Sequence, residues 1–347
     1  DRYMEQNVHD LIPAIFQTVF SCVAITFSDD CITEQSDSLY IFNTLSVFLD
    51  LDESEVSEIF GQLSQFISNS DAQTSFSSLL IIQFFIDMYP HIIADNLSQI
   101  VAFLLEQSSV SNHHCLCEQS MICIYHLINI INGGLLQYTN EILQSIINSI
   151  SVDHDQLILD GLTALSEFFK TLDFNHAIIG DILNLLISVI RRSPEVMNDT
   201  VIAMNSLVLA VGSDIAPYVN IVAPIFIELN NMSENSYPLL KTYASESLAR
   251  MIKNAPGETL PFAEVIMGIL VQHCSSEDDL FELDSALSAF TILINSEVSN
   301  IMEALQIALE KAIFVLQLSC PVLNEEQVDS DEPLPQEYEA KQTAMHF

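Results

Sequence analysis

The sequence predicts an all-α protein, an α-solenoid built from about seven two-helix repeats. Three observations predict it. Apolar residues recur at helical spacing along most of the chain, with no sustained strand alternation. A short pattern of small and large residues returns at a near-constant interval. Polar turns carrying Gly, Pro, Asp and Asn separate the helical stretches.

The interval is read from four segments. "GLTAL" ends at Leu165, "AMNSL" at Leu207, "ASESL" at Leu248 and "ALSAF" at Phe290, giving steps of 42, 41 and 42 residues. Each sets small residues (Gly161 and Ala164, Ala203, Ala244, Ala286 and Ala289) beside a large one. Small side chains let helices approach closely, and the Leu or Phe fills the space between layers. Two-helix units of this length fit HEAT or armadillo repeats better than tetratricopeptide or ankyrin ones, so the repeats are HEAT-like. Such units stack nearest neighbour on nearest neighbour.

Taken in order, helices are predicted near 9–27, 35–49, 55–68, 73–88, 92–107, 116–131, 137–149, 156–170, 176–191, 196–210, 215–230, 237–253, 259–271, 279–294 and 299–317. Gly212 suits a helix C-terminus because it tolerates positive φ, and Asp214 is expected to cap the helix that follows. Pro217 and Pro261 are expected in the first turns of the next helices, where the missing N–H costs nothing. The solenoid is drawn over 1–323. Residues 324–347, rich in Glu, Asp and Pro, form an acidic tail, mobile or extended, or a loop leading to a further repeat.

Charge is the strongest compositional fact. Lys and Arg total 9 against 47 Asp and Glu, a formal net charge of −38, and no Lys or Arg occurs between Arg2 and Lys170. Such a surface repels nucleic acid and anionic membranes and attracts basic partners; the alternative reading is a solubility device. Intrachain salt bridges cannot be the main glue, so apolar packing must be, and the hydrophobic fraction of 50% is ample. The opening "DRYMEQNVHDLIP" is neither a signal nor a transit peptide, and without an initiating Met it is expected to be a processed or truncated piece of a longer chain. Seven Cys without framework spacing fit a reducing compartment. A soluble, intracellular chain without membrane insertion is expected.

Little in the chain suggests chemistry. "HHCLCEQ" holds His113, His114, Cys115 and Cys117, each a possible metal ligand, but consecutive residues converge poorly on one tetrahedral ion. It reads instead as an interhelix turn with buried thiols. Asp153, His154 and Asp155 occupy a repeat-boundary turn where Asp is an ordinary cap. Gly133 and Gly134 read as a helix end, and no nucleophile elbow, phosphate loop or HExxH occurs. No enzyme, cofactor or metal is expected. Among the few bases, Arg191, Arg192 and Lys253 suit the negative ends of their helices, while Lys241 and Arg250 share the helix of Lys253.

An acidic solenoid offers a long face for a basic ligand. Acids in or near the small-residue helices are Asp155, Asp160, Glu167, Glu195, Asp199, Glu234, Glu246, Asp278, Glu282 and Asp284, the candidate partner-binding residues. Apolar slots between the other helices would hold a Phe or Leu from a flexible partner.

The stretch "DTVIAMNSLVLAVGSDIAPYVNIVAPIF" resembles the HEAT repeats of the importin-β (karyopherin-β) nuclear transport receptors through Ala203, Gly212, Pro217, Tyr218 and Pro224. "DHDQLILDGLTALSEFFKTL", "NAPGETLPFAEVIMGIL" and "HDLIPAIFQTV" are similar in kind, and the likeness is clearest over 150–295. The resemblance implies a nucleocytoplasmic transport receptor, in cytoplasm and nucleus and at the nuclear pore. It also implies basic protein cargo on a concave surface, the GTPase Ran on inner helices and nucleoporin FG segments between outer ones. Inner helices would contain Ala164, Ala203, Ala244 and Ala286; outer ones would include 137–149, 176–191, 215–230 and 259–271. The Asp/Arg ladder frequent in HEAT repeats is expected to be missing, since the repeat helices after 155 and 198 carry acids without matching bases. The alternative is a non-catalytic HEAT scaffold subunit of a phosphatase or chromatin complex.

Overall fold

An amphipathic helix must bury its apolar stripe against something, and here the partner is most often the helix two places along the chain. The computed structural model describes residues 71–109, 113–232, 238–276 and 280–295, with scattered positions at 60–61, 67 and 305–313. The predicted helices at 9–27 and 35–49, nearly all of those at 55–68 and 299–317, and the tail 324–347 lie outside these residues. Among the described residues every regular element is helical. They fall into two compact units, divided between Phe174 and Asn175.

The first unit contains α1 (Ala72–Met88), α2 (Leu97–Gln107), α3 (His114–Ile131), α4 (Thr139–Ser151) and α5 (Asp155–Thr171). There α3 lies between α1 and α5, while α4 covers α5 and α2 lies on α3. The second contains α6 (Ile179–Arg192), α7 (Met197–Val211), α8 (Val219–Asn230), α9 (Pro238–Asn254), α10 (Ala263–Ser276) and α11 (Leu280–Ile294). There α9 lies between α7 and α11, with α8 and α10 packed on it. Within each unit, alternate helices therefore form one layer and the intervening helices form another.

The repeat line is the centre of this packing. Ala164, Leu165, Ala203, Leu207, Ala244, Leu248, Ala286, Ala289 and Phe290 are all buried. One step upstream of Leu165 stands Cys123, equally buried, whose thiol donates to the Leu79 carbonyl on α1 at 3.3 Å. A Cys in place of Leu concealed this repeat from sequence comparison.

Gly161 shows why the line needs small residues. A Cβ there would meet Ile150 Cγ1 at 2.8 Å, with the Ser149 hydroxyl closer still. The backbone of α5 thus lies directly on the end of α4. Ala is the better helix former, worth about 1 kcal/mol over Gly, yet forcing a methyl into packed surroundings costs about 1–3 kcal/mol. Gly161→Ala is therefore expected to lower stability by about 1 kcal/mol. Urea unfolding measures this; a stabilised variant would show the α4–α5 approach to be looser.

Helix ends depart from expectation in four places. The helix at 92–107 is divided: Pro90–Asp95 ends at Asn96, whose side-chain amide donates to the Ile92 carbonyl at 2.9 Å and competes with the backbone ladder. Gly212 adopts φ +52 as anticipated, but Asp214 does not cap α8. It meets His176 Nδ1 at 2.6 Å instead. Pro217 and Pro261 lie in 3-10 turns, Gly212–Tyr218 and Leu260–Phe262, just ahead of α8 and α10. The cap of α5 is His154, whose Nδ1 accepts from the Leu157 N–H at 3.4 Å, and not a flanking Asp.

The stretch Pro194–Asn230 is apolar enough over an 18-residue window to cross a bilayer by composition alone. It is nonetheless two helices: positive φ at Gly212 and the 3-10 turn after it separate α7, packed on α9, from α8.

Candidate functional site

The acidic candidates divide by burial. Asp155 and Glu195 are exposed. Glu167 is half-buried and takes Lys170 at 3.2 Å on the same helix. Asp199 is half-buried, and desolvation raises its pKa above the usual carboxylate value, a backbone hydrogen bond opposing. Asp160 is held between its helix and its neighbours: Oδ1 accepts from Gln156 at 3.0 Å and Oδ2 is buried without a partner. Glu234 and Asp278 lie outside the described residues. Glu282 and Asp284 stand on α11.

Glu246 is different. At 4% exposure it belongs to the α7–α9 interface, where no partner protein reaches it. Asn205 on α7 donates to its Oε2 at 2.9 Å, and Arg250, one turn along α9, donates to its Oε1. Ser247 donates to Asn205 Oδ1 at 2.8 Å, and Arg250 Nη1 reaches the same oxygen at 3.4 Å. Arg250 is also 4% exposed. Both charges of this pair stand on α9, outside the helices after 155 and 198 for which the ladder was expected to be missing, and Asn205 of α7 joins them. Sequence reasoning missed it because Asn205 lies 41 positions from Glu246 and 45 from Arg250. The signal was available: one full repeat separates these polar residues inside otherwise apolar helices.

A comparable polar seam joins α1 and α3. Gln119 donates to Gln83 at 2.7 Å, Gln83 contacts His126 Nε2 at 3.3 Å, and His126 Nδ1 meets Asp87 at 2.8 Å.

The "HHCLCEQ" residues do not converge. His114 opens α3 and stacks on His154, ring centroids 4.4 Å apart and 10° from parallel. The Cys117 thiol is buried, donates to the Ser109 carbonyl at 3.1 Å and has its pKa pushed up to about 11, chiefly by burial. Among the described residues no three His, Cys, Asp or Glu are gathered as metal ligands.

Among the described residues a concavity lies between α6 and α8. It encloses about 260 Å³ and is lined by Ile187, Ile190, Met197, Ile225, Leu229 and Met232, with Arg191 and Glu228 also on its wall. Ligand pockets for whole small molecules begin at about 300 Å³, so this one suits a single large side chain. Arg191 and Arg192 occupy the last turn of α6 and Lys253 that of α9, as the helix dipole favours.

Layered helix pairs with a buried small-residue line and a repeat near 42 residues define a HEAT-type α-solenoid. Comparison with solved structures agrees. The chain is similar to a crystal structure of importin beta, obtained in a polyethylene glycol condition, with a TM-score of 0.54 and 14% identity over 96% of this chain. The match covers 43% of that importin beta chain, so this chain spans less than half its length. A likeness at this identity is one of fold. Neither family models nor curated protein sequences match the chain.

Proposed function

We propose that the protein is a non-catalytic binding solenoid of the nuclear transport receptor type, engaging basic protein cargo through exposed acids and a flexible hydrophobic segment through the α6–α8 cleft. The observation that carries this reading is the cleft: an apolar, side-chain-sized slot between two second-layer helices. Its size admits a Phe or Leu but no cofactor, and the fold likeness to importin beta supports an FG-bearing nucleoporin segment as the occupant. The acidic balance supports basic cargo, with Asp155, Glu195 and the half-buried Glu167 and Asp199 as contact residues. Ran is the corresponding regulator, and cytoplasm, nucleus and nuclear pore the corresponding locations. The mechanism is reversible association with no bond chemistry.

The test is capture of the full chain on immobilised FG repeats at low salt, with and without GTP-loaded Ran. Ile190→Asp and Ile225→Asp place a charge in the slot at half-buried positions and are expected to weaken capture about tenfold or more while the chain stays folded. Wild-type failure to bind FG repeats, together with co-purification of a catalytic subunit, would favour the scaffold role instead. Binding of a basic import-signal peptide should fall steeply with added salt; salt-independent binding would count against the acidic surface.

A further inference from the structure

The junction of α3 with the first turns of α5 concentrates ionisable groups in the stretch between Arg2 and Lys170, which has no Lys or Arg. Glu118 on α3 and Asp160 on α5 occupy the same repeat position, 42 residues apart. Glu118 is 5% exposed, and its Oε1 lies 3.4 Å from His154 Nδ1. That nitrogen lies equally far from the Leu157 N–H that it caps. The two partners require opposite protonation. An unprotonated Nδ1 accepts from Leu157, whereas a protonated Nδ1 donates to Glu118. His114, stacked on the same ring, is the second imidazole near Glu118. Asp160 adds a carboxylate oxygen that is buried and unpartnered.

We propose that the α3–α5 junction is a proton-controlled clasp, closed while Asp160 is neutral and His154 Nδ1 faces Glu118, and loosened when Asp160 gives up its proton. The loosened state leaves two carboxylates on facing helices with no fixed cation beside them. The remaining ionisable groups on the packed helices are His113, Cys115, Cys117, Cys123, Tyr125 and His126 on the α3 side, Asp87 on α1, and Asp153, Asp155, Glu167 and Lys170 on the α5 side, where Lys170 is taken by Glu167. Glu106 lies exposed at the end of α2, and Glu141 lies exposed at the far end of α4. Among the described residues, histidine is the base placed beside Glu118.

The direction follows from linkage. Burial, reinforced by Glu118 and opposed by the Gln156 hydrogen bond, raises the Asp160 pKa from 3.8 to about 7. Burial also raises that of Glu118, with His154 and His114 opposing. A folded-state pKa above the unfolded value means that the native state binds the extra proton. Its stability is therefore fully present below about pH 4 and is lost as pH rises through 7.

Thermal unfolding and peptide-resolved hydrogen exchange of the full chain at pH 6 and pH 8.5 test the proposal, with exchange corrected for intrinsic rate. Wild type is expected to melt on the order of 5 °C lower at pH 8.5, with protection lost first in α3 and α5 and retained in α9. Asp160→Asn keeps the acceptor for Gln156 and should flatten the pH dependence by raising stability at pH 8.5. His154→Asn keeps a capping residue but removes the imidazole beside Glu118, and should lower protection in α3 and α5. An unchanged pH slope in Asp160→Asn would overturn the proposal. So would equal loss of protection in α3, α5 and α9, which is the signature of general charge repulsion.

Discussion

Replacing Arg250 by Met is expected to destabilise the second unit by about 3–5 kcal/mol. The side chain is almost wholly buried, so the loss has nothing to do with a partner. Its guanidinium neutralises Glu246 inside the α7–α9 interface, and removing it leaves the buried carboxylate, to which the Asn205 amide still donates, without that counter-charge. A buried charge without its counter-ion loses hydration that nothing replaces. The double variant Glu246→Gln/Arg250→Met should cost less than the sum of the single changes, because the surviving amide carries no charge. Urea unfolding of the four proteins, with hydrogen exchange to locate the loss in α7 and α9, checks both statements. An Arg250→Met variant within 0.5 kcal/mol of wild type, the range of ordinary surface changes, would show that water reaches the pair.

Leu207→Ala is expected to cost about 2–5 kcal/mol, and Leu209→Ala less than 0.5 kcal/mol. The two leucines sit two residues apart on α7, yet Leu207 is 0% exposed and Leu209 is 46% exposed. Two residues turn a helix by about 200°, enough to carry a side chain from one face to the other. Leu207 lies on the repeat line between α7 and α9, so truncation leaves a cavity that two fixed helices cannot close. Equal effects at the two positions, read as shifts of the urea midpoint at constant slope, would refute the assigned register.

These predictions divide cleanly in their origin. Leu207 was legible in the sequence: its distance from Leu165 and Leu248 placed it on the buried line. Arg250 was not. In the sequence it read only as one of three bases, with Lys241 and Lys253, sharing a helix in an acidic chain. Only packing showed that it and Glu246 face inward, because a side chain's burial depends on which helix covers it. Asp160 was listed among the acids of the small-residue helices, and only packing showed that one of its carboxylate oxygens is buried. The Cys123 repeat escaped notice since a buried thiol fills the site that Leu occupies elsewhere. The α6–α8 cleft draws residues from three helices, Ile187, Met197 and Ile225 among them, and no local pattern unites these.

The sequence by itself determined the all-α class, the repeat length, the identity of the buried line and the acidic character of the surface. Helical periodicity and composition are local or additive properties, so they can be read along the chain. The tertiary structure decided which polar groups are surface and which are seam. It set Asn205 beside Glu246 and Arg250, His154 beside Glu118, and a side-chain-sized slot between α6 and α8. Those outcomes depend on contacts one repeat apart, where a shift of one residue in helix register would exchange a buried partner for water.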